Sequence, residues 1–271
     1  MPGIKNRAKQ RLQEGSLSLG MGLRQARTVD IGRIAQACDF DWLFIDMEHN
    51  SMSVDVASQI AVAALDAGIT PMVRVPGHEQ FHASRLLDTG ALGIVVPHVN
   101  NRQEAERLVA NCLFPPAGKR SIPGGLPQVQ FQALPVTQLV PLINEAMLLV
   151  AMIETPEGVA NVDEIAAVKG IDVLLMGGND LAAEFGIHGQ FTHPRMHEAF
   201  ARIVEACHRQ GKFPGVGGIY DHAIMPHYIN AGARFILSGS DLSFLMTGAN
   251  ARSSFLRSLP LPGAQPKEAA Q

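Results

Sequence analysis

Short apolar runs alternate with longer stretches of helical period along most of the chain. Each run is closed by Gly, Pro or an acidic residue, a pattern typical of buried strands in a parallel sheet. We predict eight strands, at residues 16–20, 42–46, 70–75, 93–97, 147–153, 173–176, 213–217 and 235–238. Helices are predicted at 54–67, 81–88, 102–111, 133–145, 161–168, 194–209 and 221–230.

The order of these elements indicates a closed barrel. Strands that alternate with helices pair in parallel through right-handed crossovers. Eight such units close into a (β/α)₈ TIM barrel, whereas five or six would form an open, doubly wound sheet. Glycines suited to ending a helix lie just past four of the predicted helical stretches, at Gly68, Gly90, Gly211 and Gly232. We therefore predict an α/β fold of the TIM-barrel type.

The length of 271 residues suits one such barrel. We predict a lead-in arm at 1–15, a single catalytic barrel domain at 16–259 and a flexible tail at 260–271, which is rich in Pro, Ala and Gln. No Pro- or Gly-rich linker divides the barrel region into two domains.

Composition narrows the class of protein. The net charge of −3 does not indicate a basic surface for nucleic acid or for an anionic membrane. The longest apolar run, residues 146–153, is far too short to span a bilayer. Three widely spaced cysteines argue against a disulfide framework. We expect a cytoplasmic protein that binds neither nucleic acid nor membrane.

Polar residues follow the ends of several predicted strands, where catalytic groups of a barrel gather. They are Asp46, Glu48, His49, Arg74, His98, Glu154, Asn179 and Asp180. Any one of them could be a turn or capping residue. Together they predict a site at the carboxyl ends of the strands.

Two of these residues, Glu154 and Asp180, are candidate metal ligands. Carboxylates without a nearby cysteine form the hard oxygen site that Mg²⁺ or Mn²⁺ prefers. The alternative is that Asp180 only caps the helix that begins near it, after two glycines. The residues alone leave both interpretations open.

His49 and Arg74 are candidate catalytic groups. His49 has acidic residues close by in sequence, and a carboxylate partner orients an imidazole that acts as a base. A surface histidine is the alternative, since the chain contains ten. Arg74 lies between valines in a predicted strand, so it needs an anionic partner, either a substrate or a carboxylate of the rim.

A second metal motif is present at His78-Glu79-x-x-His82, the signature of zinc peptidases. It opens a short predicted helix instead of lying inside a long one. We regard a chance match as the better explanation and keep a zinc metallopeptidase as an alternative of another class.

The chain resembles the HpcH/HpaI aldolase family, the metal-dependent (class II) pyruvate aldolases typified by 4-hydroxy-2-oxoheptanedioate aldolase. The similarity runs from about residue 15 to 259 and is strongest at 40–49, 73–75, 86–90, 115–120, 153–155 and 177–181. It implies a phosphoenolpyruvate/pyruvate-type barrel whose C-terminal helix is exchanged between subunits. The subunits would form dimers that assemble into a homohexamer.

The resemblance also implies roles for particular residues. Glu154 and Asp180 match the metal-binding acids, and Arg74 matches the arginine that contacts the ketone oxygen and its enolate. His49 matches the catalytic base. Asp46 and Asp88 match acids that support it, and Asp88 would reach from a neighbouring subunit. The turn at Gly178, Asn179 and Asp180 matches the one whose backbone receives the pyruvate carboxylate.

Three positions depart from the family pattern. Met152 stands where a Gln usually precedes the metal-binding Glu, so one hydrogen-bond donor is missing. Gly178 and Asn179 replace the usual Pro and Ala or Ser, and His98 replaces an apolar residue. These changes leave metal and pyruvate in place and bear on the choice of aldehyde.

The implied reaction is reversible cleavage of a 4-hydroxy-2-oxo acid to pyruvate and an aldehyde, through a pyruvate enolate that a divalent cation stabilises. Mg²⁺, Mn²⁺ or Co²⁺ would serve, without an organic cofactor. Within the same superfamily, the alternative to the aldolase is an acyl-CoA lyase of the malyl- or citryl-CoA type. A further alternative is a barrel that binds a ligand without turnover.

Overall fold

The computed structural model describes residues 3–261 and confirms the predicted barrel. Eight parallel strands pair in chain order and the last pairs with the first, so the sheet is closed. The strands are β1 (Ser18–Leu23), β2 (Trp42–Asp46), β3 (Thr70–Arg74), β4 (Gly93–Val96), β5 (Leu148–Ile153), β6 (Val173–Gly177), β7 (Phe213–Gly217) and β8 (Phe235–Ser240).

Helices surround this sheet and follow the strands along the chain. They are α1 (Arg7–Gln13), α2 (Ile31–Ala37), α3 (Val54–Asp66), α4 (Gln80–Asp88), α5 (Arg102–Cys112), α6 (Val136–Ala146), α7 (Pro156–Ala160), α8 (Val162–Ala166), α9 (Gly178–Glu184), α10 (Pro194–Gln210), α11 (Met225–Asn230) and α12 (Asp241–Ser258). The four glycines predicted to end helices all have positive φ. The hydrophobic pattern missed the short helices α2 and α7 and also the long α12, none of whose side chains is buried.

The first strand differs most from its prediction, because it extends to Leu23 instead of ending at residue 20. Glycines weaken a strand signal, and two of them interrupt this one. Gly20 is required there: a Cβ on it would collide with the indole of Trp42. That indole stacks on Phe235 inside the barrel, with the ring centroids 4.1 Å apart.

Strand side chains alternate between two cores. Trp42, Phe44, Met72, Val150 and their neighbours fill the barrel interior, while the alternate residues pack against the helices. The helix α1 closes the amino end of the interior with Ala8 and Leu12. This period of two places the last inward-facing residue of each strand at the carboxyl rim.

The last helix, α12, buries none of its side chains against the described chain. Its exposed apolar residues include Leu242, Phe244, Leu245, Met246, Phe255 and Leu256. Exchange of this helix between subunits stays a prediction, as do the three domain boundaries, and residues 262–271 of the predicted tail lie outside the described residues. No helix within residues 3–261 is long and apolar enough to cross a membrane.

Candidate active site

A cavity of about 190 Å³ opens at the carboxyl ends of the strands. Six of the predicted site residues line it, namely Asp46, His49, Arg74, Gly178, Asn179 and Asp180. Met152, Arg24, Tyr220 and Ser240 contribute further side chains to the wall. The structure therefore brings together polar residues from β2, β3 and β6 that are far apart in sequence.

Strand geometry explains why these residues converge. In β2, Trp42 and Phe44 face the barrel interior, so Asp46 two residues later faces it too. In β3, Met72 faces inward and Arg74 follows by the same period. Asp46 and Arg74 are direct partners in the register of the two strands, which sets their side chains next to each other.

Asp46 and Arg74 form a buried, two-pronged ion pair. Arg74 Nε donates to Asp46 Oδ1 at 2.9 Å and Nη2 donates to Oδ2 at 2.7 Å. Burial alone would raise the pKa of Asp46, but the hydrogen bonds and charge of Arg74 outweigh burial and hold that pKa below its ordinary value. The partner that Arg74 required inside a strand is thus a carboxylate of the same chain.

Glu48 joins this pair to two histidines. Its Oε2 lies 3.1 Å from Arg74 Nη1 and 3.7 Å from Nε2 of His49. Its Oε1 lies 3.9 Å from Nε2 of His98. Asp46 instead reaches His49 through the backbone, because Oδ1 accepts from the N–H of His49 at 3.3 Å. The carboxylate nearest the His49 ring is therefore Glu48 and not Asp46.

Glu154 lies directly behind the cavity wall and is 1% exposed. Its Oε1 accepts from the backbone N–H of His98 at 2.8 Å. Its Oε2 is buried and has no hydrogen-bond partner among the described residues. This carboxylate occupies the space that a side chain at Gly177 would need, so glycine is required at the end of β6.

The pKa of Glu154 is raised. Burial is the largest cause, and the negative charge of Asp180 raises it further, although the contact with His98 opposes the shift. Asp180 lies in the first turn of α9 and does not cap it, since the N-cap residue is Gly177. The structure thus favours a free carboxylate at Asp180 over the capping interpretation.

These two carboxylates fit a divalent cation. A buried oxygen without a donor, next to a second negative charge, is what a cation would satisfy, and hard oxygen ligands suit Mg²⁺ or Mn²⁺. Within residues 3–261, no group of three or more His, Cys, Asp or Glu side chains is arranged to hold a metal ion. The two acids would therefore need oxygen atoms of substrate or water to complete the coordination.

Asp88 does not belong to the cavity of its own chain. It ends α4, where its Oδ1 accepts from Nη2 of the buried Arg120 at 2.6 Å. The prediction that it serves a neighbouring subunit stays a prediction.

The zinc-peptidase motif is not assembled as a metal site. His78 precedes α4, and its Nε2 lies 2.9 Å from the carbonyl oxygen of Pro97. Glu79 is the N-cap residue of that helix, so the motif does not lie within one continuous helix as a zinc peptidase requires.

Among the wall residues that were not predicted from the sequence are Arg24 and Tyr220. Arg24 directly follows β1, whose glycines hid its true end. Tyr220 lies three residues beyond β7, and burial raises its pKa, so the phenol stays protonated near neutral pH. A rule that treats every polar residue just past a strand as a candidate would have found both.

The chain is similar to known proteins over nearly its whole length. It is 36% identical to a 4-hydroxy-4-methyl-2-oxoglutarate aldolase of Hapsidospora irregularis, over 92% of this chain and 94% of that one. It is 34% identical to a 4-hydroxy-2-oxovalerate aldolase of Novosphingobium aromaticivorans, with 90% and 92% covered. The crystal structure of an HpcH/HpaI aldolase from Desulfitobacterium hafniense superposes with a TM-score of 0.89 at 30% identity, covering 95% of this chain and 98% of that one. Residues 25–247 match the HpcH/HpaI aldolase/citrate lyase family, so this barrel, with acids and arginine gathered at its carboxyl rim, belongs to that family.

Proposed function

We propose that this protein is a metal-dependent aldolase, a carbon–carbon lyase that cleaves a 4-hydroxy-2-oxo acid reversibly to pyruvate and an aldehyde. The observation that carries the proposal is the buried, unpartnered Oε2 of Glu154 beside Asp180. Relatives more than 30% identical over nine-tenths of the chain are named as aldolases of 4-hydroxy-2-oxo acids, which supports the same chemistry here.

Glu154 and Asp180 would hold Mg²⁺, Mn²⁺ or Co²⁺. A bound cation of this kind supplies Lewis-acid polarisation of the 2-oxo group. The first turn of α9, at Gly178, Asn179 and Asp180, offers backbone N–H groups beside them for the substrate carboxylate.

Arg74 would stabilise the enolate of pyruvate. Two of its nitrogens are bound to Asp46 and the third is 3.1 Å from Glu48, so the guanidinium is fixed before substrate arrives. Preorganised positive charge beside a developing oxyanion typically lowers the activation barrier by several kcal/mol.

His49 would take the proton of the C4 hydroxyl. Its ring lines the cavity and is half exposed, with Glu48 as its nearest carboxylate. As the C3–C4 bond breaks, its electron pair stays on C3 to form the enolate and C4 becomes the aldehyde carbon. Transfer of a proton to C3 then gives pyruvate.

We further propose a cytoplasmic homo-oligomer, with the hexamer that the family resemblance implies. The exposed apolar side chains of α12, among them Leu245 and Phe255, support a helix that is covered in the assembly. Sedimentation equilibrium tests the oligomeric state. Leu245→Asp and Phe255→Asp should each lower it. A wild-type monomer would contradict the proposal.

The test of the function omits the aldehyde. We expect deuterium from D₂O to enter the methyl group of pyruvate, followed by NMR, when Mg²⁺, Mn²⁺ or Co²⁺ is added to the enzyme. The exchange reports the enolate directly. Absence of exchange with all three cations would favour the non-catalytic barrel.

A further inference from the structure

Arg24 lies across the barrel from Glu154. In a closed barrel of eight strands paired in chain order, β1 lies across the interior from β5. Glu154 directly follows β5, whereas Arg24 directly follows β1, and Arg74 and His49 come from the strands between them. A substrate held at Glu154 and Asp180 by its 2-oxo acid end therefore extends past Arg74 and His49 towards Arg24.

The charge of Arg24 is not neutralised by a partner of its own. Its Nη1 is 3.9 Å from Oδ2 of Asp46, and that oxygen is already bound to Arg74 at 2.7 Å. The only hydrogen bond that its side chain makes to the described chain is a long one, from Nη2 to the carbonyl oxygen of His49 at 3.4 Å. A guanidinium has five N–H donors, so most remain available to a ligand.

The loop that carries Arg24 is bound to the start of α12. The Asp241 carboxylate at the start of α12 accepts three backbone N–H groups of this loop, from Arg24 at 2.7 Å, Gln25 at 2.9 Å and Ala26 at 2.6 Å. The Arg27 side chain donates to the carbonyl oxygen of Ala26 at 3.0 Å. These contacts stabilise the backbone of the loop, so the guanidinium is presented from a rigid support.

We propose that Arg24 binds a second carboxylate on the C4 side of the substrate, so that the preferred substrates are short 4-hydroxy-2-oxo diacids. An arginine with free donors in a partly closed cavity favours a planar carboxylate, which it can bind through two parallel hydrogen bonds. This inference rests on the proposed aldolase function and identifies which aldol acceptor the enzyme takes.

For the shortest such diacid, 4-hydroxy-2-oxoglutarate, the products are defined. His49 takes the C4 hydroxyl proton, the C3–C4 bond breaks with its electron pair on C3, and C4 becomes the aldehyde carbon of glyoxylate. Protonation of C3 gives pyruvate. Arg24 holds the carboxylate that leaves with glyoxylate and takes no part in bond breaking.

The test compares two substrates that differ at one group. 4-Hydroxy-2-oxoglutarate carries a carboxylate on C4, and 4-hydroxy-2-oxovalerate carries a methyl group there. We expect the wild-type kcat/KM to favour the diacid by about 10- to 100-fold, the range for a hydrogen bond to a charged group. In Arg24→Gln the preference should fall to about threefold or less, mainly through a higher KM for the diacid.

Two matched variants sharpen the comparison. Arg24→Lys keeps the charge but loses the two-pronged geometry, so it should keep part of the preference. Arg33→Gln removes a cation from the exposed face of α2, and it should show the wild-type ratio.

The outcomes separate the two proposals. If the wild type cleaves both substrates without preferring the diacid, or if Arg24→Gln slows both equally, the role of Arg24 is wrong while the aldolase function stands. If the wild type cleaves neither substrate and catalyses no exchange, the proposed function itself is wrong.

Discussion

Two buried carboxylates at the same rim have pKa values shifted in opposite directions. Asp46 and Glu154 are each 1% exposed. The pKa of Asp46 is lowered because Arg74 outweighs the effect of burial, whereas burial and Asp180 raise the pKa of Glu154. At β2 and β3 the chain itself supplies the positive charge that pairs with the carboxylate, whereas Glu154 after β5 keeps a buried oxygen without a donor among the described residues.

The Asp46–Arg74 pair is complete within the chain, whereas Glu154 needs a partner from outside. A buried ion pair whose hydrogen bonds are satisfied belongs to the folded protein. A buried carboxylate oxygen without a donor destabilises the folded protein until a ligand binds, and such perturbed groups gather at functional sites. The following experiments test this division, from the largest expected effect to the smallest.

Replacing Glu154 with Gln should abolish pyruvate exchange. The amide keeps the size of the side chain but removes a negative ligand, so we expect the metal-dependent rate measured by NMR to fall by about 10³-fold or more. Glu157→Gln, on an exposed position of α7, is the matched control and should exchange normally. Normal exchange in Glu154→Gln would show that this carboxylate holds no cation.

Replacing Asp46 with Asn should destabilise the protein, because it leaves Arg74 buried without its main partner. Breaking a buried ion pair costs about 3–5 kcal/mol in the free energy of unfolding, measured with urea at pH 7. Glu106→Gln breaks an exposed pair with Arg102, whose atoms are 2.7 Å apart, and should cost about 0.5 kcal/mol or less. Equal losses in the two variants would contradict the structural role of the Asp46–Arg74 pair.

The effect of Asp46→Asn should shrink in acid. The folded-state pKa of Asp46 lies below its ordinary value of 3.8, so the stabilisation is fully present above about pH 4. It is lost as the pH falls through the folded-state pKa, because Asp46 then takes up a proton that Asn cannot. The free energies of unfolding of the wild type and of Asp46→Asn, measured between pH 3 and pH 7, should converge at low pH. A constant difference between them would contradict the lowered pKa of Asp46.

Replacing Arg74 with Lys should slow exchange by about 10²-fold while the protein still binds Mn²⁺. Lysine keeps the charge and the pairing with Asp46 but loses the fixed planar fork that is aimed at the enolate. The rate is measured by the same NMR exchange, and Mn²⁺ binding by electron paramagnetic resonance. An unchanged exchange rate would remove Arg74 from the proposed chemistry.

Replacing Met152 with Gln should give the smallest change, an increase in exchange of about threefold. Met152 lines the cavity and is 4% exposed, and Gln would restore a hydrogen-bond donor beside Glu154. Met152→Leu keeps the apolar character and should behave as the wild type. A slower Met152→Gln enzyme would indicate that the apolar wall itself favours the reaction.

Much of the site follows from local rules. The alternation of strand side chains already sets Asp46 and Arg74 on the inner face, and the carboxyl ends of barrel strands already collect catalytic groups. Glu154 and Asp180 emerged from the same reasoning, although the choice between metal ligand and helix cap did not. The structure speaks only to the cap, since the N-cap residue of α9 is Gly177, and the metal-binding role of the two acids stays a prediction.

The sequence by itself determined the eight strand–helix units, the inward-facing period and the set of polar residues at the rim, because these depend on neighbours two to four residues away. Only the tertiary structure decided which charges meet. The register of β2 and β3 pairs Arg74 with Asp46, the turn after β2 brings Glu48 to His49, and closure of the sheet sets Arg24 across from Glu154. Asp46 and Arg74 are 28 positions apart, Arg24 and Glu154 are 130 apart, and Glu48 and His49 are adjacent. Distance along the chain therefore carries no information about which of these residues face each other.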